Sequence, residues 1–412
     1  MPCEVRSLFL NRFLVFFRAE PVYGFGRKKT LFISDSLFPF FFSVLEIVTF
    51  ACYDNSVVTG GVFFALNRCI CMLYAARKER VTMTQTEYVL PVSEKNYTEG
   101  MEKAEKYLSE RGTDGCFISF DGKSIHYEKY MCDNAKASIV IVHGFTECAE
   151  KFREVSFNFL LGGYNVFAVD NRGHGYSVRL TDDRETVCVG KFTDYVEDLQ
   201  CFVEKIVRPA SGELPLYVYC HSMGGAITVQ HLQTYPGVFK KAVLSAPMIQ
   251  AQTMGLPEWL ANAAARLGVL FGQGNRRIPG AKGFNPHRTY QESHDTSQAR
   301  FDYWQKKRCE DFHFQTADPS FNWVKEAVAV SRRNLDPERN ARIKIPVFLC
   351  QPEEDSSVVS EKENEFIAMI KNGRLKKYTN CRHEIYMSVD PTVEEYYEDI
   401  KNFFRGEVSN AR

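Results

Sequence analysis

From Cys116 onward, short apolar runs alternate with amphipathic stretches. Ser138-Ile-Val-Ile-Val and Asn165-Val-Phe-Ala-Val are continuous apolar runs, as expected of strands buried on both faces. Leu216-Tyr-Val-Tyr, Lys241-Ala-Val-Leu-Ser and Ile345-Pro-Val-Phe-Leu-Cys extend the series. Between them, Ala149 to Leu161 has helical spacing and stops at Gly162-Gly163. Phe192 to Val207 sets Phe192, Tyr195, Leu199, Phe202 and Ile206 on one helical face. A helix is also predicted after Leu216-Tyr-Val-Tyr, ending before Pro236. Asp121-Gly122, flanked by Phe117-Ile-Ser-Phe and Ser124-Ile-His-Tyr-Glu-Lys-Tyr, signals a hairpin. The alternation predicts an α/β fold: a mostly parallel central sheet with helices on both faces.

The interval 249–342 breaks this rhythm. It holds Trp259, Trp304 and Trp323, all the tryptophan in the chain, and helical stretches such as Pro257 to Leu270. Lying between two sheet strands, it reads as a helical cap over the carboxyl edge of the sheet, where ligands sit in open α/β folds. The sheet-bearing core then comes in two parts, 115–248 and 343–412, with a polar lead-in helix in 83–114 around Tyr97 to Glu110.

Residues 1–82 differ in kind. Thirteen of the 33 Phe fall here, Leu31 to Tyr53 is almost wholly apolar with Asp35 and Glu46 its only charged residues, and a second apolar run, Ser56 to Ala75, is broken by Arg68. Basic residues precede these runs, the pattern of a membrane anchor or hairpin. A second reading stays open: Lys78-Glu79 can be encoded by a purine-rich ribosome-binding sequence three codons ahead of Met83, so that translation starts at Met83. An N-terminal peptide upstream of Met83 in native protein would exclude it.

Composition narrows the partners. Lys plus Arg and Asp plus Glu are both 51, a net charge of zero, so no global field recruits nucleic acid. The 13 cysteines are odd in number and lack metal-ligand spacing, which fits reduced thiols in a cytoplasmic compartment, with or without membrane association.

The chemistry concentrates in three places. Cys220-His221-Ser222-Met223-Gly224-Gly225 follows a strand and opens a helix, the setting of a nucleophile elbow in which a sharp turn lifts the serine hydroxyl clear. Cys220 stands where glycine is usual. A serine needs a base, and the base an orienting group. Phe348-Leu-Cys-Gln-Pro-Glu-Glu-Asp355 places an acid past a strand end, and Tyr378-Thr-Asn-Cys-Arg-His383-Glu places a histidine past the last strand. Ser222, Asp355 and His383 are therefore the candidate catalytic residues. Glu353 and Glu354 are read as solvated rivals of Asp355. The backbone N–H groups of Met223 and Phe145, the latter in His143-Gly144-Phe145-Thr146-Glu147, are the candidate oxyanion donors. Asp170-Asn-Arg-Gly-His-Gly-Tyr-Ser177 reads as a hydrogen-bonded structural loop. Cys220 and Cys381 sit two residues from Ser222 and His383, so their alkylation is a further candidate route to inhibition; burial would make both inert.

His143-Gly, the Asp170-x-Arg-Gly-His-Gly-x-Ser loop, His221-Ser-Met-Gly-Gly, Ser245-Ala-Pro-Met, Gln351 to Asp355 and His383-Glu resemble the α/β-hydrolase branch of monoacylglycerol lipases and bacterial lysophospholipases. Phe192-Thr-Asp-Tyr-Val-Glu-Asp-Leu, Tyr235-Pro-Gly-Val and Asn322-Trp-Val-Lys-Glu-Ala are similar to the lysophospholipases in particular. The resemblance spans about 115 to 405 and leaves 1–82 unexplained. It implies a Ser222–His383–Asp355 triad, Phe145 and Met223 at the oxyanion hole, and a cap that binds an acyl chain. The implied substrate is a small acyl ester or lysolipid, with membrane contact through the cap or the N-terminal segment, and the reaction needs no metal or organic cofactor. A prolyl-aminopeptidase-like serine peptidase and a non-catalytic binding protein on the same scaffold remain as alternatives. The former would use cap acids among Glu258, Glu292, Asp295, Glu310 and Asp311 to hold a free amine.

Overall fold

A computed structural model describes residues 90–407 apart from Met254. The apolar stretch 1–82 and the alternative start at Met83 lie outside the described residues. The strands are β1 (Gly112–Ile118), β2 (Ser124–Tyr130), β3 (Ser138–Val142), β4 (Asn165–Val169), β5 (Thr186–Val187), β6 (Leu216–His221), β7 (Lys241–Ser245), β8 (Asp318–Pro319), β9 (Val347–Pro352) and β10 (Gly373–Tyr378). Eight of them form one sheet in the order β1-β2-β4-β3-β6-β7-β9-β10, while β5 and β8 pair separately. β2 is antiparallel to both its neighbours, and all other pairings in the large sheet are parallel.

The predicted hairpin forms, with Ile118 opposite Ser124 and Gly122 at φ 81° in its turn. β3 and β4 are buried at every position, because helices cover both faces. Alternation of side chains divides each strand between two cores. Val140 and Val142 join one cluster with Leu199 and Phe202, while Ile139 and Ile141 join another with Phe152 and Ile400. The helix Thr193–Phe202 buries Tyr195, Leu199 and Phe202 as its periodicity predicts, then widens into a π-turn over Val203–Val207. The chain leaves β3 for β4 on one side and returns as β6 on the other. That reversal opens a crevice at the carboxyl ends of β3 and β6.

The long interval between β7 and β9 is mainly helical, with Glu258–Leu270, Gln298–Glu310 and Phe321–Asn334 as its main elements. Glu258–Leu270 packs on Phe321–Asn334, and Gly268 permits it: a Cβ there would lie 2.4 Å from the Phe321 ring. Arg300 is fully buried and joins this region to the core through Glu154 at 2.9 Å and Asp390 at 3.1 Å. Trp304 and Trp323 are packed inside, whereas Trp259 is 71% exposed.

Candidate active site

Ser222 sits between β6 and the helix Met223–Thr234 with φ 50° and ψ −118°, a backbone region that costs about 1–3 kcal/mol to occupy. Its surroundings hold it there. Ser222 N–H donates to Ser245 O at 3.1 Å, and Ser222 O accepts from Gly225 N–H and Met248 N–H, each at 2.8 Å. The two glycines after Met223 are required by contact. A Cβ on Gly224 would lie 2.1 Å from Val142 O, and one on Gly225 would lie 2.4 Å from Pro247 Cβ. Cys220 fits where glycine is usual because it faces the core, its thiol donating to Val243 O at 3.4 Å.

The three residues predicted from separate segments meet. Ser222 Oγ lies 2.9 Å from His383 Nε2, and His383 Nδ1 lies 2.8 Å from Asp355 Oδ2. The other oxygen of Asp355 accepts the N–H groups of Ser357 at 2.8 Å and Val358 at 3.0 Å, which fixes the carboxylate before the imidazole meets it. Burial pulls the His383 pKa down, but the Asp355 carboxylate outweighs it and the net shift is upward. For Asp355, burial acts upward and the His383 imidazole downward, and the net is downward. The pair is thus electrically matched. Glu353 and Glu354 stay exposed, which leaves Asp355 as the acid that reaches the histidine.

Met223 is the first residue of its helix, so its N–H is among those without an intrahelical acceptor. Across the crevice, the loop after β3 carries Phe145 between Gly144 and Thr146, the latter at φ 61°. Gly144 approaches the nucleophile closely, since a Cβ there would lie 2.9 Å from Ser222 Cβ. His143 shapes the loop: its Nε2 accepts Asn171 N–H at 2.9 Å, so Nδ1 carries the proton and donates to Gly144 O at 2.7 Å. The Phe145 ring packs on Trp323 of the cap, with centroids 4.1 Å apart.

The Asp170–Ser177 loop is structural, as its composition suggests. Asp170 accepts from Ala149 N–H at 2.7 Å, Tyr176 N–H at 2.9 Å and His126 at 2.8 Å, while Arg172 clasps Asp198. Burial weighs against the thiol route to inhibition, since Cys220 and Cys381 are both buried. Burial pushes the Cys220 pKa up to about 12 and that of Cys381 up to about 11, so the reactive thiolate is scarce at neutral pH.

Sequence reasoning missed a buried charged group behind the histidine. Lys151 Nζ donates to Glu147 Oε1 at 3.0 Å and also to Glu384, and Tyr386 OH donates to Glu147. Glu147 Oε2 in turn accepts Gly144 N–H at 2.6 Å. The only sequence signal was position: Glu147 and Glu384 adjoin motif residues, whereas Lys151 reads as one of many helix lysines.

A serine on a strained strand–helix turn, with histidine and aspartate at the carboxyl edge of a mostly parallel sheet, defines an α/β-hydrolase. The chain belongs to the family described as serine aminopeptidase, S33, whose profile matches residues 133–390. It is similar to lysophospholipase L2 of Escherichia coli K12, 26% identical over 305 residues that cover 70% of this chain and 86% of the relative. Similarity to monoacylglycerol lipase of Mycolicibacterium smegmatis is 31% over 164 residues, covering 40% of this chain and 56% of that one. Among solved structures, a soluble variant of Saccharomyces cerevisiae monoglyceride lipase superposes at a TM-score of 0.58 with 19% identity, over 73% of this chain and 96% of that one. A Bacillus coagulans carboxyl esterase gives 0.60, with 19% identity over 72% and 98%.

Proposed function

We propose that this protein hydrolyses the carboxylic ester of a lipid, a lysophospholipid or a monoacylglycerol, through an acyl-enzyme on Ser222. The hydrogen-bonded line Ser222–His383–Asp355 carries the reading. His383 removes the Ser222 proton as Oγ attacks the ester carbonyl, then delivers it to the departing alcohol. Met223 and Phe145 N–H groups stabilise the oxyanion. Water, deprotonated by His383, then attacks the acyl-enzyme and releases the fatty acid.

The lipid part of the reading draws on the named relatives and on the cap surface. Leu256, Trp259, Leu267, Leu270 and Phe271 are all more than half exposed on or beside the helix Glu258–Leu270. Among the described residues no helix is long and apolar enough to cross a membrane. An amphipathic surface helix that lies on a lipid interface needs no such length, and we assign that contact to this helix.

The peptidase alternative has the family's description in its favour. It needs a free acidic pocket, and four of the five candidate cap acids are buried or paired within the protein. Asp295 is buried, Asp311 takes Tyr176 and His313, Glu292 caps Thr289, and Glu310 lies 3.9 Å from Lys306. Fluorophosphonate labelling tests the enzyme reading, with lysophosphatidylcholine, monoacylglycerol and prolyl-arylamide compared as substrates. Labelling in wild type, its loss in Ser222→Ala and turnover of the two lipids are expected. Unlabelled folded wild type would leave a binding protein, and prolyl-arylamide turnover alone would make the chain a peptidase.

A further inference from the structure

A cleft of about 430 Å³, lined by no catalytic residue, opens between the chain segment 175–184, which follows β4, and the cap residues Phe312 and His313. Arg179 and Arg184 lie in its core wall, and Asp182 is the only acid that lines it. Its walls therefore carry two guanidiniums against one carboxylate. The mechanism on Ser222 uses none of these groups.

Arg179 is committed only to carbonyls: it donates to His313 O at 2.9 Å and to Ser177 O at 3.4 Å. A guanidinium has more N–H donors than those two oxygens take up. Arg153, Arg172 and Arg300 each meet carboxylates, whereas Arg179 has no carboxylate partner among the described residues. Arg308 also meets only carbonyls, but it packs on the Phe284 ring and does not line the cleft. Arg184 lies over the Phe312 ring at 4.8 Å and likewise has no acid among the described residues. Burial and the neighbouring Arg184 both lower the Arg179 pKa, and Asp170 only partly offsets them. Asp170 is itself taken by Ala149, Tyr176 and His126. The cap wall is fixed in advance. Asp311 accepts from Tyr176 OH at 2.6 Å and holds His313 Nδ1 at 2.8 Å, which leaves His313 Nε2 uncommitted.

Two guanidiniums without acids call for an anion with several oxygens, and arginine pairs with phosphate through parallel hydrogen bonds. The cleft has room for more than a bare ion, and the rings of Tyr176 and Phe312 each keep nearly half of their surface exposed beside it. We propose that this cleft binds a phosphate ester, with Arg179 and Arg184 pairing the phosphate oxygens and the Tyr176 and Phe312 rings taking the organic part. The arginines come from the core and Phe312 and His313 from the cap, so a ligand held there ties one to the other. A small soluble phosphate ester and a phospholipid head group present the same chemistry.

The site stands apart from the ester chemistry, so the test reads binding and not turnover. Titration calorimetry at constant ionic strength measures inorganic phosphate and glycerol 3-phosphate on the full chain, as wild type, Ser222→Ala, Arg179→Gln and Arg184→Gln. Wild type and Ser222→Ala are expected to bind alike, with the ester held more tightly than the bare ion. Each arginine variant is expected to lose about tenfold or more in affinity. Arg179 also clasps His313, so Arg184→Gln is the decisive variant: Arg184 makes no hydrogen bond among the described residues, and thermal melts verify that the variant is folded. Phosphatidylcholine vesicles with and without phosphatidic acid separate the two sources. Tighter vesicle binding with phosphatidic acid, abolished in Arg184→Gln, assigns the cleft to a lipid head group. Soluble phosphate binding without that gain assigns it to a small phosphate ester. No saturable binding in either arm, or unchanged binding by folded Arg184→Gln, would overturn the proposal.

Discussion

The helices Met223–Thr234 and Glu258–Leu270 are nearly equal in length and both rich in apolar residues, yet the first buries every residue except its last and the second buries only Ala265. The first is clamped between β3, Pro247 and the core, so each side chain has a fixed neighbour and glycine is enforced at two positions. The second packs through one side on Phe321–Asn334 and turns Trp259, Leu267 and Leu270 outward. Apolar composition thus serves close packing around the nucleophile, and an exposed surface on the cap. The same residues mean different things because burial is a property of the neighbours, not of the helix.

If the core edge is the rigid half of that comparison, damage there should be severe and confined to chemistry. Asp355→Asn is expected to lower kcat by about 10,000-fold while the protein stays folded, because the imidazole loses its orienting carboxylate. Activity of the wild type should rise with pH as His383 loses its proton, through a pKa held above 6.5. In Asp355→Asn that acid limb should move to lower pH, since the carboxylate that favours the imidazolium is gone. A limb that stays in place would deny Asp355 this role; a pH–rate profile measures it.

Gly144→Ala tests the oxyanion side while leaving the Ser222, His383 and Asp355 side chains chemically unchanged. The added Cβ would lie 2.7 Å from Glu147 Oε2 as well as close to Ser222. Displacing the Phe145 amide should cost roughly 100- to 1,000-fold in kcat, with KM less affected. Steady-state kinetics on a soluble ester would show it, and an unaltered kcat would place the oxyanion donor elsewhere.

The cap should respond in the opposite way. Replacing Trp259, Leu270 and Phe271 together by serine is expected to leave kcat on a short soluble ester unchanged and stability within about 0.5 kcal/mol per site. Binding to lipid vesicles should weaken by more than about tenfold, since each exposed apolar side chain contributes on the order of 1 kcal/mol or more at an interface. Vesicle sedimentation measures this. Equal binding by the variant would remove the helix from the lipid contact and dissolve the contrast with the core.

Much of the core was legible because its constraints are local. Ser138-Ile-Val-Ile-Val must be a strand buried on both faces, and Cys220 to Gly225 must turn sharply after one. The order Ser222, Asp355, His383, each past a strand end, follows from parallel strands that deliver their carboxyl ends to one edge. Small residues, apolar runs and strand-end polar groups leave marks in the chain itself, so sequence alone determined the fold class and named the residues that meet.

Tertiary structure decided what depends on partners distant in the chain. Lys151 is one lysine among many until Glu147 and Glu384 close on it, with 233 residues separating Lys151 from Glu384. Asp295 looked like a candidate acid for a substrate amine, and only the folded chain shows it buried. Cys220 and Cys381 sit close to catalytic residues in sequence, and only the folded chain shows both buried, with burial raising their pKa. Desolvation and ion pairing act between surfaces that folding brings together, and no spacing along the chain encodes them.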